Sequence, residues 1–96
     1  MRAAPNAADA FEAQFGIAQS YFTLGKNKEA VTAYSAVITN YKGSTREAES
    51  YYKRGLAYVQ LQQKDRARQD FQYVITNFPD NISMLSLAQQ ALDKIK

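Results

Sequence analysis

VITNY at residues 37–41 returns as VITNF at residues 74–78, with one aromatic residue exchanged for another. Sliding the chain along itself by 37 residues superposes these phrases and also places Tyr34 on Phe71. A repeat of about 20 to 50 residues is typical of solenoid proteins, in which each unit buries its apolar face against its neighbours. The sequence therefore predicts a repeat protein.

The composition indicates one globular domain without cysteine or histidine. Hydrophobic residues make up 46% of the 96 residues and charged residues 22%, which is typical of a folded domain. The chain has no cysteine and no histidine, so it lacks disulfides, thiolates and the commonest general base and metal ligand. The net charge of +3 is mild, and acidic residues interrupt the basic ones at residues 26–29 and 64–70. No phosphate-binding track is indicated.

The apolar segments are too short for a membrane protein. None approaches the roughly 18 consecutive apolar residues of a membrane span, so we expect no direct membrane insertion. The first eleven residues have no apolar stretch of the kind found in a secretory signal. The chain is then either cytoplasmic, or a signal and other domains precede Met1 in a longer protein.

Five segments repeat their apolar residues at steps of three and four, the spacing of one helix face. The β-branched pairs within VITNY and VITNF keep this spacing, so no strand is expected. The helices are predicted at about residues 8–24, 28–41, 45–61, 64–78 and 82–95.

Residues at the segment ends predict how the helices start and stop. Gly43 is expected to end the second helix, and Ser44 with Glu47 has the spacing of a capping box for the third. Asn6 and Asp80 are expected to cap the first and last helices through their side-chain oxygens.

The second repeat carries small and aromatic residues at fixed spacing and ends on a proline: Tyr51-x-x-Arg54-Gly55-x-x-Tyr58, Ala67-x-x-x-Phe71 and Pro79. This pattern resembles the tetratricopeptide repeat. The first repeat is a looser copy: Gln14-x-x-Ile17-Ala18-x-x-Tyr21 and Ala30-x-x-x-Tyr34. The resemblance covers nearly the whole chain. It implies an all-α fold of antiparallel helical hairpins stacked in a right-handed solenoid, with unit one at about 8–44, unit two at about 45–80 and a capping helix at about 81–96.

The resemblance also implies how the hairpins pack. Small residues let the paired helices approach closely, and aromatic residues fill the space between them, so we expect Tyr58 and Phe71 to be largely buried. Gln14 and Arg54 depart from the family pattern, which prefers apolar residues there. The repeat is also about three residues longer than the ordinary 34, most simply in the turn after residue 41.

In this family the first helix of each hairpin lines a concave groove that receives a peptide or helix of a partner protein. The resemblance assigns ten residues of this chain to that groove, and we call them the groove face: Glu12, Phe15, Gln19, Phe22, Glu49, Tyr52, Lys53, Leu56, Val59 and Gln60. The alternative is that Phe15, Phe22 and Leu56 pack in the core. A clamp for a terminal carboxylate is not expected, because its positions hold Phe15, Gln19, Glu49 and Lys53.

The resemblance thus predicts a non-catalytic protein-binding module without metal, cofactor or catalytic residues. Catalysis is disfavoured because the carboxylates fall mostly on solvent faces or caps, with no apolar pocket to raise a pKa. Nucleic-acid binding is disfavoured because most tyrosines fall at packing positions. Self-association into a homodimer is the alternative function.

The long units are similar to those of bacterial envelope proteins. The nearest are the C-terminal repeat domains of periplasmic cell-division coordinators that associate with the Tol–Pal system, and outer-membrane assembly lipoproteins come next. That similarity favours the periplasm or cell envelope, with the cytoplasm as the alternative.

Overall fold

The computed structural model describes residues 7–95, and all regular structure in that part of the chain is helical. The predicted all-α solenoid class is confirmed, and the helix bounds differ from prediction by at most two residues. The predicted cap Asn6 lies outside the described residues. The helices are α1 (Ala7–Thr23), α2 (Asn27–Asn40), α3 (Glu47–Gln60), α4 (Lys64–Asn77) and α5 (Ile82–Lys94). Over the same residues, no helix has the length and apolar character needed to cross a membrane.

Left-handed backbone conformations reverse the chain after the first three helices. Gly25 and Gly43 have φ angles of 78° and 87°, which glycine adopts without strain at a helix end. Gln62 takes the same conformation, with φ of 64°, at the position that the repeat aligns with Gly25. The two hairpin turns therefore share one backbone geometry even though only the first has a glycine.

The predicted caps of α3 and α5 are wrong in detail. Glu47 accepts the N–H of Gly43 at 2.8 Å, but the Ser44 hydroxyl finds no hydrogen-bond partner among the described residues. Because α3 begins two residues later than predicted, Ser44 is out of register for capping. At α5 the cap is Asn81 instead of Asp80, and its side-chain oxygen accepts the N–H of Met84 at 3.2 Å.

Close helix approach within each hairpin follows the predicted pattern of small and aromatic residues. Ala18, Ala30 and Ala67 are fully buried. A Cβ atom at Gly55 would lie only 2.5 Å from Phe71 Cε1, so the absence of a side chain there lets α4 pack against α3. Phe71 is itself fully buried, which confirms its prediction.

Tyr58 is partly buried and packs against the same core cluster as Phe71, although it is less deeply buried than Phe71. The guanidinium carbons of Arg54 and Arg66 lie 5.8 and 5.9 Å from its ring centroid. Cation–π contacts of this kind hold the ring near the surface, because Arg66 is exposed and keeps its charge in water.

A buried ion pair joins α3 and α4 and reaches α2. The Arg54 guanidinium donates to both carboxylate oxygens of Asp70 at 2.7 and 2.9 Å, and to the Ser35 hydroxyl at 3.0 Å. Asp70 is only 4% exposed and lies within α4, so it departs from the expectation that carboxylates lie mostly on solvent faces or caps. Glu47 is 6% exposed, and at the start of α3 it accepts the Gly43 N–H as a cap residue does. Burial raises the pKa of Asp70, and its hydrogen bonds with Arg54 oppose that rise.

The other departure from the family pattern is also satisfied by a hydrogen bond. The Gln14 side-chain amide donates to the Ala33 carbonyl at 3.3 Å and so ties α1 to α2. A polar residue is therefore tolerated at this position because its donor reaches a backbone acceptor.

Helix α5 packs over the second hairpin through the face predicted for it. Ala88 is fully buried and Ile95 is 7% exposed, and Leu92 packs against the same cluster as Phe71. Leu85 is half-buried, whereas Gln89, Asp93 and Lys94 are exposed as predicted. The helix thus shields apolar surface of α3 and α4 from water.

Deleting residues 81–96 is expected to expose Phe71 and its neighbours and to make the protein aggregate, because terminal repeats need a cap with a polar outer face. Light scattering and a thermal melt of the truncated protein would check this. A truncated protein that stays monomeric with an unchanged melting temperature would contradict a capping role for α5.

Candidate partner-binding face

Arg46, at the start of α3, joins two residues of the groove face. Its guanidinium donates to Glu12 of α1 at 2.9 Å and to Glu49 of α3 at 2.7 Å. The same group lies 4.7 Å from the ring centroid of Phe15. These hydrogen bonds raise the pKa of Arg46, so it stays charged. The N-terminal halves of α1 and α3 are therefore held side by side.

Sequence reasoning missed Arg46, although the repeat contains a signal for it. Glu12 and Glu49 occupy equivalent positions 37 residues apart, which places like charges on neighbouring helices. Two carboxylates that face each other need a cation between them. Arg46 is one turn before Glu49, at the spacing that allows a contact on the helix surface.

An open cleft of about 590 Å³ lies along α1 beside this ion network. Its floor includes Gly16, where a Cβ atom would have nothing within 4 Å. The cleft is lined by Glu12, Phe15, Gly16, Gln19, Ser20, Thr23, Leu24 and Arg46. Three of the predicted groove residues, Glu12, Phe15 and Gln19, are thus brought together at one opening.

Phe15 is mainly a core residue, as the alternative prediction held. It is 3% exposed and packs edge-on against Tyr34, with ring centroids 5.7 Å apart. Burial and the charge of Glu49 raise the pKa of Tyr34 to about 12, so its hydroxyl stays neutral. Phe22 and Leu56 are half-buried and pack against the core clusters.

The remaining apolar groove residues lie farther along the chain, between α3 and α5. Tyr52, Leu56 and Val59 line a cavity of about 210 Å³ together with Phe71 and residues of α5. The Tyr52 ring centroid lies 5.9 Å from that of Phe71. Helix α5 therefore covers part of the apolar surface that was predicted to be open to a partner.

Lys53 lies between the two parts of the groove face. Its ammonium nitrogen lies 5.8 Å from the ring centroid of Phe22, which links α3 to α1. Gln19 and Gln60 are exposed, so their amides are free of packing constraints. The ten predicted residues therefore form two apolar regions with polar groups beside them.

Comparison with known proteins gives the family. The tetratricopeptide repeat model matches residues 2–45 and residues 15–82, which together span most of the chain. Searches of curated proteins and of solved structures gave no match. Tetratricopeptide repeats are a non-catalytic fold that generally mediates protein–protein interaction. With its helices stacked as two hairpins and a final covering helix, this chain belongs to the tetratricopeptide repeat family.

Proposed function

We propose that the protein is a non-catalytic module that binds a peptide or helix of a partner protein on the groove face. Family membership supports binding of a protein, and the cleft beside α1 supports this face as the place. The observation that carries the proposal is the exposed glycine inside α1, Gly16, which lies in the open cleft.

A glycine inside a helix costs about 1 kcal/mol relative to alanine, so its presence calls for a reason. At Gly55 the reason is the contact with Phe71, which leaves no room for a Cβ atom. At Gly16 a Cβ atom would meet nothing within 4 Å beyond the nearby backbone of its own helix, and the repeat places Lys53 there in the second unit. A partner that approaches the α1 backbone closely accounts for the missing side chain.

Recognition on this face is expected to be mainly apolar. Glu12, Arg46 and Glu49 already neutralise one another in part, so few charges remain for a partner to pair. Gln19 and Lys53 are suited to fix the orientation of a bound segment by hydrogen bonding. Binding should therefore depend only weakly on salt, since salt mainly screens exposed charges.

Gly16→Arg is the variant that tests this proposal most cleanly. Its side chain fills the cleft without entering the core, and arginine favours a helix more than glycine does. We expect peptides selected from a helical display library on the wild type to bind this variant at least about 30-fold more weakly, as expected for the loss of about 2 kcal/mol at a hot spot.

The matched control is Gln72→Arg, which places the same side chain on the exposed surface of α4. Affinity for this control should stay within a factor of about two of wild type, as is usual for surface substitutions. Tyr52→Ala should also weaken binding by about 2 kcal/mol. Because Tyr52 packs against Phe71, that result needs a parallel stability measurement. Equal affinity of Gly16→Arg and wild type would refute the proposed face.

We further propose that the partner belongs to a bacterial cell envelope. Support comes from the similarity of the long, Phe-Pro-ending unit to repeats of periplasmic cell-division coordinators, and from the long connection at residues 41–46. Fractionation of cells that express the natural protein tests this. Recovery in the periplasm supports an envelope role, and recovery in the cytoplasm contradicts it.

A further inference from the structure

A second surface, on α1, is apolar and uncovered by any residue that the structure describes. Ala13, Ile17, Ser20 and Leu24 follow one another at steps of four, three and four and so lie in one line along the helix. All four are exposed, Ile17 at 49% and Leu24 at 69%. We call this line the α1 stripe. Its small residues would allow another helix to approach closely.

The repeat identifies the kind of element that covers such a stripe. The equivalent residues of the second unit, in α3 and directly after it, are Ser50, Arg54, Ala57 and Leu61, and none of them is exposed. Helix α2 packs against two of them, since Tyr34 lies in one cluster with Ala57 and Arg54 donates to the Ser35 hydroxyl. An element packed on the α1 stripe in the same way would be a helix with an apolar face like that of α2.

Two differences between the repeats define the chemistry of that helix. The pair Arg54 and Asp70 of the second unit is replaced by Ile17 and Ala33 in the first. The surface beside Ile17 therefore lacks a guanidinium like that of Arg54, which donates a hydrogen bond to the Ser35 hydroxyl. A helix that docks there should carry an apolar side chain where α2 has serine, because an unpaired buried hydroxyl is costly.

A hollow next to the α1 stripe has room for a large side chain of the docking helix. In the second unit Tyr51 and Tyr73 stack with ring centroids 4.1 Å apart. The first unit has Gln14 and Ala36 at these positions, and both line an open hollow of about 540 Å³ beside Ile17. An aromatic residue on the docking helix would supply the apolar volume that the first unit lacks.

The chain's own helices are poorly placed to be this helix in a second copy. The matching face of α2 already packs against α3. The matching side of α4 is packed in part against α5, where Arg68 donates to the Ile95 carbonyl at 3.5 Å. Docking of either helix onto another copy through this face would first require α2 to separate from α3, or α4 from α5.

We propose that the α1 stripe is a docking site for an amphipathic helix of another protein, with an apolar residue facing Ile17 and an aromatic residue facing Ala36. This surface adjoins the cleft at Gly16, and Ser20 and Leu24 belong to both. The protein would then engage partners along α1 in two ways.

The probe is a fluorescein-labelled peptide of residues 27–41 in which serine 35 is replaced by leucine, with the unmodified peptide for comparison. Fluorescence anisotropy of the full chain should give tighter binding of the leucine peptide. Ile17→Asp should weaken that binding at least about tenfold, because a charge would be buried without a partner. The matched control is Ile82→Asp, since Ile82 is 70% exposed on α5, and it should leave affinity unchanged.

A double variant, Ile17→Arg with Ala33→Asp, recreates the ion pair of the second unit and should reverse the preference in favour of the serine peptide. The proposal is overturned if neither peptide binds, or if Ile17→Asp binds as well as wild type. It is also overturned if sedimentation finds a dimer of the chain that Ile17→Asp dissociates, because the occupant is then a second copy.

Discussion

Replacing Phe71 with alanine should lower the free energy of unfolding by about 3 to 5 kcal/mol, the usual cost of removing a buried aromatic ring. The ring is fully buried against the backbone of Gly55, so the neighbouring helices cannot collapse into the space without moving α4. Urea denaturation followed by circular dichroism would measure the change.

The control for Phe71→Ala is Ile82→Ala, which also shortens an apolar side chain but at a position 70% exposed. That substitution should change stability by no more than about 0.5 kcal/mol. A loss below about 1 kcal/mol for Phe71→Ala would contradict the packing of the second hairpin, because such a loss is typical of a half-exposed side chain.

Replacing Arg54 with isoleucine should cost about 3 kcal/mol or more, because it leaves Asp70 buried without its partner. The side chains of this pair are 19% and 6% exposed, so water cannot fully replace the lost hydrogen bonds. Urea denaturation at neutral pH measures this cost directly.

The first repeat supplies the matched rescue for this variant. Ile17 and Ala33 occupy the equivalent positions, so Arg54→Ile with Asp70→Ala installs a pair that the fold already accepts. Most of the lost stability should return, because replacing a buried ion pair by apolar residues is often nearly neutral. A double variant as unstable as Arg54→Ile alone would contradict this expectation. The ion pair would then stabilise the fold by more than keeping the two buried charges paired.

The helices and their hairpin packing could be predicted because both depend on local spacing. Apolar residues at steps of three and four define each helix face, and the small residue at Gly55 opposite Phe71 marks a close helix pair. The predicted caps were wrong where a shift of one residue changes which side chain caps the helix, as at α5, where Asn81 and not Asp80 is the cap. Helix ends are set by local hydrogen bonds that several neighbouring residues can make.

The candidate site was less predictable because its main contacts join distant residues. Arg46 bridges Glu12 and Glu49 across two helices. The spacing of apolar residues within one helix does not indicate such a contact. Arg54 and Asp70 could have been found by asking which positions change together between the repeats. The role proposed for Gly16 could not be predicted from the sequence. Only the structure shows that a side chain at Gly55 would clash with Phe71, whereas a side chain at Gly16 would meet no neighbour.

The groove face, and within it the cleft at Gly16, is the surface that we propose receives the partner. The most direct test is the amide chemical-shift map of the ¹⁵N-labelled protein on titration with a selected helical peptide. We expect the largest changes at Gly16, Gln19 and Lys53, with little change at Gln69 and Gln72 on the exposed surface of α4. Changes concentrated on α2 and α4 that leave Gly16 unaffected would contradict it.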